Sequence, residues 1–184
     1  MKRYYLLFAA FIMIANVNIN GQLVNNATTS YNSNKSKVNV VDADFIKDAA
    51  SGGMMEVELG KIAKQKALST VVKNFGERMV KDHYEGNKKL KAVAKKLNLD
   101  IPAVMEKKNQ SSMDKLIKKT GLDFDKDYID MMVKDHKDDI AEFEKAENNV
   151  INSDLKQWIT ATLPILRKHL TDAQSIQDQL KNKK

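Results

Sequence analysis

Four long segments of this chain repeat apolar residues at steps of three and four, the spacing that lines up side chains along one face of an α-helix. The pattern persists for more than twenty residues in each segment, and Gly and Pro are scarce, at seven and two in the whole chain. The sequence therefore predicts an all-α protein with four amphipathic helices, which we label A (42–68), B (69–97), C (123–150) and D (152–181).

Side chains that favour helix ends mark these boundaries. Asp42 and Ser69 are predicted N-caps of helices A and B, and Asn152 or Ser153 opens helix D. Tight turns join A to B and C to D. Residues 98–121 form a long connection with at most short helices, with Ser112 as a candidate cap and Gly121 as a candidate terminator. One long crossover between two hairpins predicts a ferritin-like four-helix bundle over residues 42–181.

The N-terminal residues have a different composition. Residues 1–21 have two basic residues directly after Met1, continue with an apolar run and end in a small residue, as a secretory signal peptide does. Residues 22–41 are rich in Asn, Ser and Thr and predict a disordered tether. No later stretch is apolar enough for a transmembrane span, so we expect an exported protein, periplasmic or secreted.

The composition excludes several classes of site. The chain has no cysteine, which rules out disulfides and a lipidated cysteine anchor. Its net charge is +7, and the lysines are not interleaved with aromatic residues, so we expect no nucleic-acid partner. Motifs for a serine nucleophile, a phosphate loop or a zincin are missing.

The three histidines of the chain, His83, His136 and His169, each lie on the apolar stripe near the middle of a helix, and the first two end the same Met-Val-Lys-Asp-His motif. Glu56 lies on the stripe of helix A. Because each residue of a helix adds about 1.5 Å of rise, counting outward from the two turns puts Glu56 level with His83, and His136 level with His169. All four should meet at one level of the bundle, whichever way the two hairpins are arranged.

Such a cluster suits a transition metal. Three imidazoles and a carboxylate would hold Zn²⁺ tetrahedrally, or Fe or Mn with water in the open positions. Glu58 is an alternative to Glu56, and Asp139 and Asp172 are additional candidates because each lies three residues beyond a histidine. Asp82 and Asp135 precede histidines directly and are predicted to flank the ligands.

Other features of these helices fit more than one interpretation. Met55, Met79 and Met132 lie near the same level and could hold Cu(I), although methionine also fills irregular cores. Gly52 and Gly53 weaken helix A, so either close helix packing or space for a ligand should require them. Pro164 predicts a kink in helix D.

Several motifs in order resemble a bacterial family of exported ferritin-like domains of unknown function, whose members are often labelled outer membrane proteins. The resemblance covers about residues 42–179 and is carried by the segments 49–53 (Ala-Ala-Ser-Gly-Gly), 56–60 (Glu-Val-Glu-Leu-Gly), 80–83 and 133–136 (Val-Lys-Asp-His) and 163–169 (Leu-Pro-Ile-Leu-Arg-Lys-His). It implies the bundle and a cell-envelope location but no activity. Valine or leucine stands three residues before each histidine, so the Glu-x-x-His motif of di-iron proteins is missing.

Three functional hypotheses follow. The first is an exported bundle protein that binds a metal ion at the Glu/His cluster. The second is a non-enzymatic envelope or stress-related interaction protein whose histidines are structural, and the third is an oxidoreductase of unknown substrate. The sequence leaves the metal, any reaction, the oligomeric state and the protein partner undetermined.

Overall fold

The structure, a computed structural model, describes residues 39–181. The described part is helical throughout, in five helices: α1 (Val40–Lys66), α2 (Thr70–Lys96), α3 (Lys107–Leu116), α4 (Gly121–Asn149) and α5 (Ser153–Lys181). Predicted helices A, B, C and D correspond to α1, α2, α4 and α5, and the predicted all-α bundle is confirmed. The predicted signal peptide and nearly all of the predicted tether lie outside the described residues.

The long helices form a closed ring in the order α1, α2, α5, α4, with the two hairpins packed side by side. At one end of the bundle the start of α1 contacts the α4–α5 turn, and at the other end the start of α4 contacts the α1–α2 turn. Because α2 and α4 therefore run in the same direction, the connection between them must travel the length of the bundle. Its short helix α3 lies against α1 and α4.

Two aspartates hold the ends of the bundle together. The buried Asp42 carboxylate accepts hydrogen bonds from the backbone N–H groups of Ile151 (3.2 Å) and Asn152 (3.1 Å) in the α4–α5 turn. The buried Asp125 carboxylate does the same for the α1–α2 turn, at 2.8 and 2.7 Å. Each hairpin thus supplies the hydrogen-bond acceptor for the backbone N–H groups in the turn of the other hairpin.

Several predicted helix ends were wrong. Asn39, not Asp42, is the N-cap of α1, and its side chain accepts from the Val41 N–H at 3.2 Å. Ser112 lies inside α3, where its hydroxyl bonds the Lys108 carbonyl. Gly121 does not end a helix but begins α4, with a φ of 59° that favours glycine.

The predicted start of helix D is confirmed, because the Asn152 side chain accepts from the Leu155 N–H at 2.9 Å. Pro164 lies inside α5, which continues through it.

The apolar core consists of two clusters separated by a polar layer. One cluster fills the end near the α1–α2 turn and includes Phe75, Phe124 and Tyr128. The other fills the end near the α4–α5 turn and includes Phe45 and Trp158. The layer between them is formed by the histidines and Glu56, so the fold surrounds this polar layer with apolar packing on both sides. None of the described helices is both long enough and apolar enough to cross a membrane.

Candidate metal centre

The structure brings Glu56 and the three histidines together inside the bundle. Glu56 is 2 % exposed, His136 0 % and His169 1 %, whereas the side chain of His83 is 10 % exposed. The Glu56 carboxylate lies between two rings: Oε2 is 2.8 Å from His83 Nδ1, and Oε1 is 3.6 Å from His136 Nδ1. One ring nitrogen from each histidine lies within 4.8 Å of the other two.

Hydrogen-bond partners determine which nitrogens of His136 and His169 carry protons. His136 Nδ1 is 2.9 Å from the Met132 carbonyl oxygen, which can only accept, so Nδ1 carries the hydrogen. His169 Nε2 is 3.0 Å from a carboxylate oxygen of Asp82 and donates to it. In the neutral rings, His136 Nε2 and His169 Nδ1 are therefore both lone-pair acceptors. These two nitrogens are 3.3 Å apart.

Two acceptors at this distance repel each other unless a proton or another cation lies between them. A proton would make one of the buried rings an imidazolium. Burial opposes this: it lowers the pKa of His136 to about 4, and it lowers the pKa of His169 although the hydrogen bond to Asp82 partly offsets the effect. At neutral pH the rings are neutral, and the gap between them suits a cation.

His83 is the third ring of the cluster, with a ring nitrogen within 4.8 Å of a nitrogen of each of the other two. Its Nδ1 shares a proton with Glu56 Oε2, while its Nε2 is buried and has no hydrogen-bond partner. Burial lowers the pKa of His83 to about 4 and raises that of Glu56 to about 7, the latter opposed by His136. A cation at Nε2 would favour the arrangement with the proton on Nδ1 and the negative charge on Glu56.

The remaining candidates divide into two groups. Glu58 pairs with Lys61 on the surface, and Asp172 pairs with Arg78 and Lys168, so the structure brings neither to the cluster. Asp82 flanks it as predicted and orients His169. Asp139 is half-buried near Glu56, and burial together with the Glu56 and Asp135 charges raises its pKa to about 9.

Asp135 has a different position. One of its carboxylate oxygens is buried without a partner, and burial raises its pKa to about 6. Met55, Met79 and Met132 pack in the apolar cluster next to the histidines, and the backbone carbonyl of Met132 accepts the hydrogen bond from His136. No described methionine sulfur is therefore assigned to the site.

A cavity of about 260 Å³ adjoins the cluster on the side of the α4–α5 turn. Glu56, His83 and His169 form part of its wall, and Phe143 and Trp158 form another part. The sequence did not predict the residues that line this cavity, but space for a ligand was one of its two explanations for Gly52 and Gly53. A Cβ atom built on Gly52 has nothing within 4 Å. The neighbouring Gly53 is different, because the Asn87 side chain occupies the space next to it.

Comparison with known families supports one part of the resemblance in the motifs, a family of domains of unknown function. The family model described as "Domain of unknown function (DUF4142)" matches residues 27–176, which is most of the chain. The chain belongs to the DUF4142 family. The match begins further towards the N-terminus than the motifs indicated, inside the predicted tether. Neither the curated proteins nor the solved structures include a significant match. Membership of DUF4142 therefore assigns no activity to the cluster.

Proposed function

We propose that this DUF4142 protein binds one transition-metal ion through His83 Nε2, His136 Nε2 and His169 Nδ1. The observation that carries the proposal is the 3.3 Å separation of His136 Nε2 and His169 Nδ1, whose hydrogen-bond partners leave a lone pair on each. Two imidazole nitrogens bound to one tetrahedral ion at about 2.0–2.1 Å are about 3.3–3.4 Å apart. The rings are thus spaced for a shared ion before any ion is added.

Each proposed ligand has a partner for its other ring nitrogen: Glu56 for His83, the Met132 carbonyl for His136 and Asp82 for His169. Such partners fix the tautomer and the orientation of a ligating histidine. We assign Glu56 this orienting role because its two oxygens face the Nδ1 atoms of His83 and His136. The proposed ligand nitrogen of each of these two rings is Nε2, on the other side of the ring. A mononuclear three-histidine site with an open position follows.

The donor set favours Zn²⁺, since three neutral imidazoles and one open position are common in zinc sites. Fe, Mn and Cu ions also accept imidazole, and the test below includes them. We propose metal binding or handling in the bacterial cell envelope, periplasmic or secreted. The location rests on the signal-like N-terminal sequence.

The test is metal titration of chelator-treated protein. Zn²⁺ binding by calorimetry should give one ion per chain, and Co²⁺ should give the visible absorption of a tetrahedral site. His83→Ala, His136→Ala and His169→Ala should each abolish the Co²⁺ spectrum. Mn²⁺, Fe²⁺ and Cu⁺ are titrated in the same way to rank the metals.

Matched variants separate the site from general effects of charge. Asp82→Asn should weaken Zn²⁺ binding about 10- to 100-fold, as loss of a ligand's partner does. Asp172→Asn and Glu58→Gln remove carboxylates outside the cluster and should have no effect, provided circular dichroism shows unchanged helicity. Failure of every metal to bind would overturn the proposal and favour the alternative, an interaction protein with structural histidines.

A further inference from the structure

The cavity beside the cluster has the size of a binding site for a small organic molecule. Its volume is about 260 Å³. An apolar cavity of about 150 Å³ in a protein interior accommodates benzene. The volume is therefore large enough for a single-ring compound with a short chain.

Carboxylates dominate the polar part of the cavity wall. Six acidic residues line it and only one lysine does, the acids being Asp48, Glu56, Asp82, Glu85, Asp139 and Glu142. Glu56 is 2 % exposed, and its Oε1 has no hydrogen-bond partner. Asp139 makes no hydrogen bond and no ion pair within residues 39–181. Within the same residues, only one oxygen of Glu56 is compensated, by His83, and the half-buried Asp139 has no cation beside it. A positively charged guest would favour the ionised form of both carboxyl groups and be stabilised here, whereas an anion would be repelled.

The rest of the wall is apolar and aromatic. Phe143, Trp158 and Leu166 lie there, on α4 and α5. The Trp158 indole N–H donates to the Gly86 carbonyl oxygen at 3.1 Å, and this bond fixes the orientation of the ring. An aromatic surface close to carboxylates suits a guest with an ammonium group and an apolar group.

Two helical glycines keep the cavity open. Gly52 on α1 and Gly86 on α2 both line it, and a Cβ atom on either would meet nothing within 4 Å. Packing does not require glycine at these positions, although glycine is unfavourable inside a helix. A need for free volume in the cavity would explain both.

We infer that this cavity binds a small organic amine, in which the ammonium group contacts Asp139 and Glu56 and a single apolar or aromatic group contacts Trp158 and Phe143. The ammonium would compensate Asp139 and the Glu56 oxygen that lacks a hydrogen bond, and the apolar group would cover the aromatic part of the wall. Binding of this amine does not require the metal ion.

The test compares three compounds of equal size and different charge: 2-phenylethylamine, 2-phenylethanol and phenylacetate. Each is titrated into chelator-treated protein and followed by calorimetry and ligand-observed NMR. The amine should bind at least tenfold more tightly than the alcohol, and phenylacetate should bind least. Equal affinity of amine and alcohol, or no binding by any of the three, would overturn the inference.

Variants locate the binding site. Asp139→Asn should reduce the affinity for the amine to about that for the alcohol, whereas Asp138→Asn, on the exposed side of α4 and paired with Lys134, should not. Gly52→Leu should fill the cavity and abolish binding of amine and alcohol alike. Gly52→Ala is the milder variant if the leucine variant does not fold, and it should weaken both. An unchanged affinity in Asp139→Asn would also overturn the inference.

Zn²⁺ titration of the same preparations keeps this inference separate from the proposed metal site. Metal binding without amine preference would reject the amine inference alone. Amine preference without metal binding would reject the metal proposal alone.

Discussion

At the scale of single residues, the cluster depends on the side of each ring that its partner occupies. Glu56, Asp82 and the Met132 carbonyl each contact one nitrogen of a histidine and leave the other nitrogen for the centre. If the outer partner of either His136 or His169 were a donor, the inner nitrogen of that ring would carry the proton. The two rings could then share an ordinary hydrogen bond. The acceptors on both outer sides make a structural role for this pair unfavourable without a cation.

Asp139 should make the stability of the metal-free protein depend on pH. Its pKa is about 9 in the folded protein, against an ordinary value of 3.8 in the unfolded chain. A raised carboxyl pKa means that the stabilising contribution is complete below pH 3.8 and is lost as the pH rises towards 9. The slope for one proton is at most about 1.4 kcal/mol per pH unit.

The Asp139→Asn variant cannot titrate at this position, so its free energy of unfolding should fall less than that of the unchanged protein between pH 5 and 8. Urea unfolding with chelator present measures the difference. Asp138→Asn is the control, since its carboxylate is exposed and paired with Lys134. Parallel pH profiles for Asp139→Asn and the unchanged protein would show that Asp139 is ionised throughout.

The sequence predicted the position of the site residues better than their roles. Rise per residue is fixed in a helix, so counting from the turns sufficed to place Glu56 level with His83. Rotation about the helix axis is set by packing. The spacing therefore predicted a flanking role for Asp82, which contacts His169, but it wrongly brought Asp172 to the cluster, although Asp172 pairs with Arg78. The predicted role of Asp42 as an N-cap was wrong, because the backbone N–H groups that donate to its carboxylate are 109 and 110 residues further along the chain.

At the scale of helices, α1 and α2 are held together by a close backbone contact. A Cβ atom on Gly60 would lie 2.7 Å from the Gly76 carbonyl oxygen, and one on Gly76 would lie 2.8 Å from the Gly60 carbonyl oxygen. These are backbone atoms of neighbouring helices, which cannot rotate away. The contact fixes the spacing of the helices that carry Glu56 and His83.

Two glycine variants in the same helix should therefore have opposite effects. Gly60→Ala should destabilise the protein by about 1–3 kcal/mol, because the methyl group overpacks the α1–α2 contact. Gly52→Ala should stabilise it by up to about 1 kcal/mol, because alanine favours a helix and the methyl group meets nothing within 4 Å. Urea unfolding midpoints compare the two, and a shift of the same sign in both would contradict the packing argument.

At the scale of the whole molecule, the two hairpins are related by a shared pattern. Asp42 in α1 and Asp125 in α4 each bind the turn of the other hairpin, and Glu56 and Asp139 each lie fourteen residues further along. Equivalent positions thus place one carboxylate from each hairpin at the central layer. Both carboxyl groups line the cavity, and Glu56 also contacts two of the histidines, so the candidate metal centre and the cavity adjoin each other at this layer.

The central layer should couple metal binding to the stability of the entire bundle, since each proposed ligand comes from a different helix. An ion at 100 times its dissociation constant adds about 2.7 kcal/mol to the free energy of unfolding. For a domain of this size, the melting temperature should rise by roughly 5–10 °C. Differential scanning calorimetry of chelator-treated protein, with and without Zn²⁺, measures the rise.

His136→Leu tests the same coupling from the opposite direction. Leucine has a similar volume, removes one of the two facing lone pairs and fits the apolar clusters on both sides, so the metal-free variant should melt at the same temperature as the metal-free unchanged protein or higher. Zn²⁺ should then have no effect on it. A large loss of stability in metal-free His136→Leu would mean that the hydrogen bonds of His136 support the fold by themselves. A persisting Zn²⁺ effect would mean that the ion binds elsewhere.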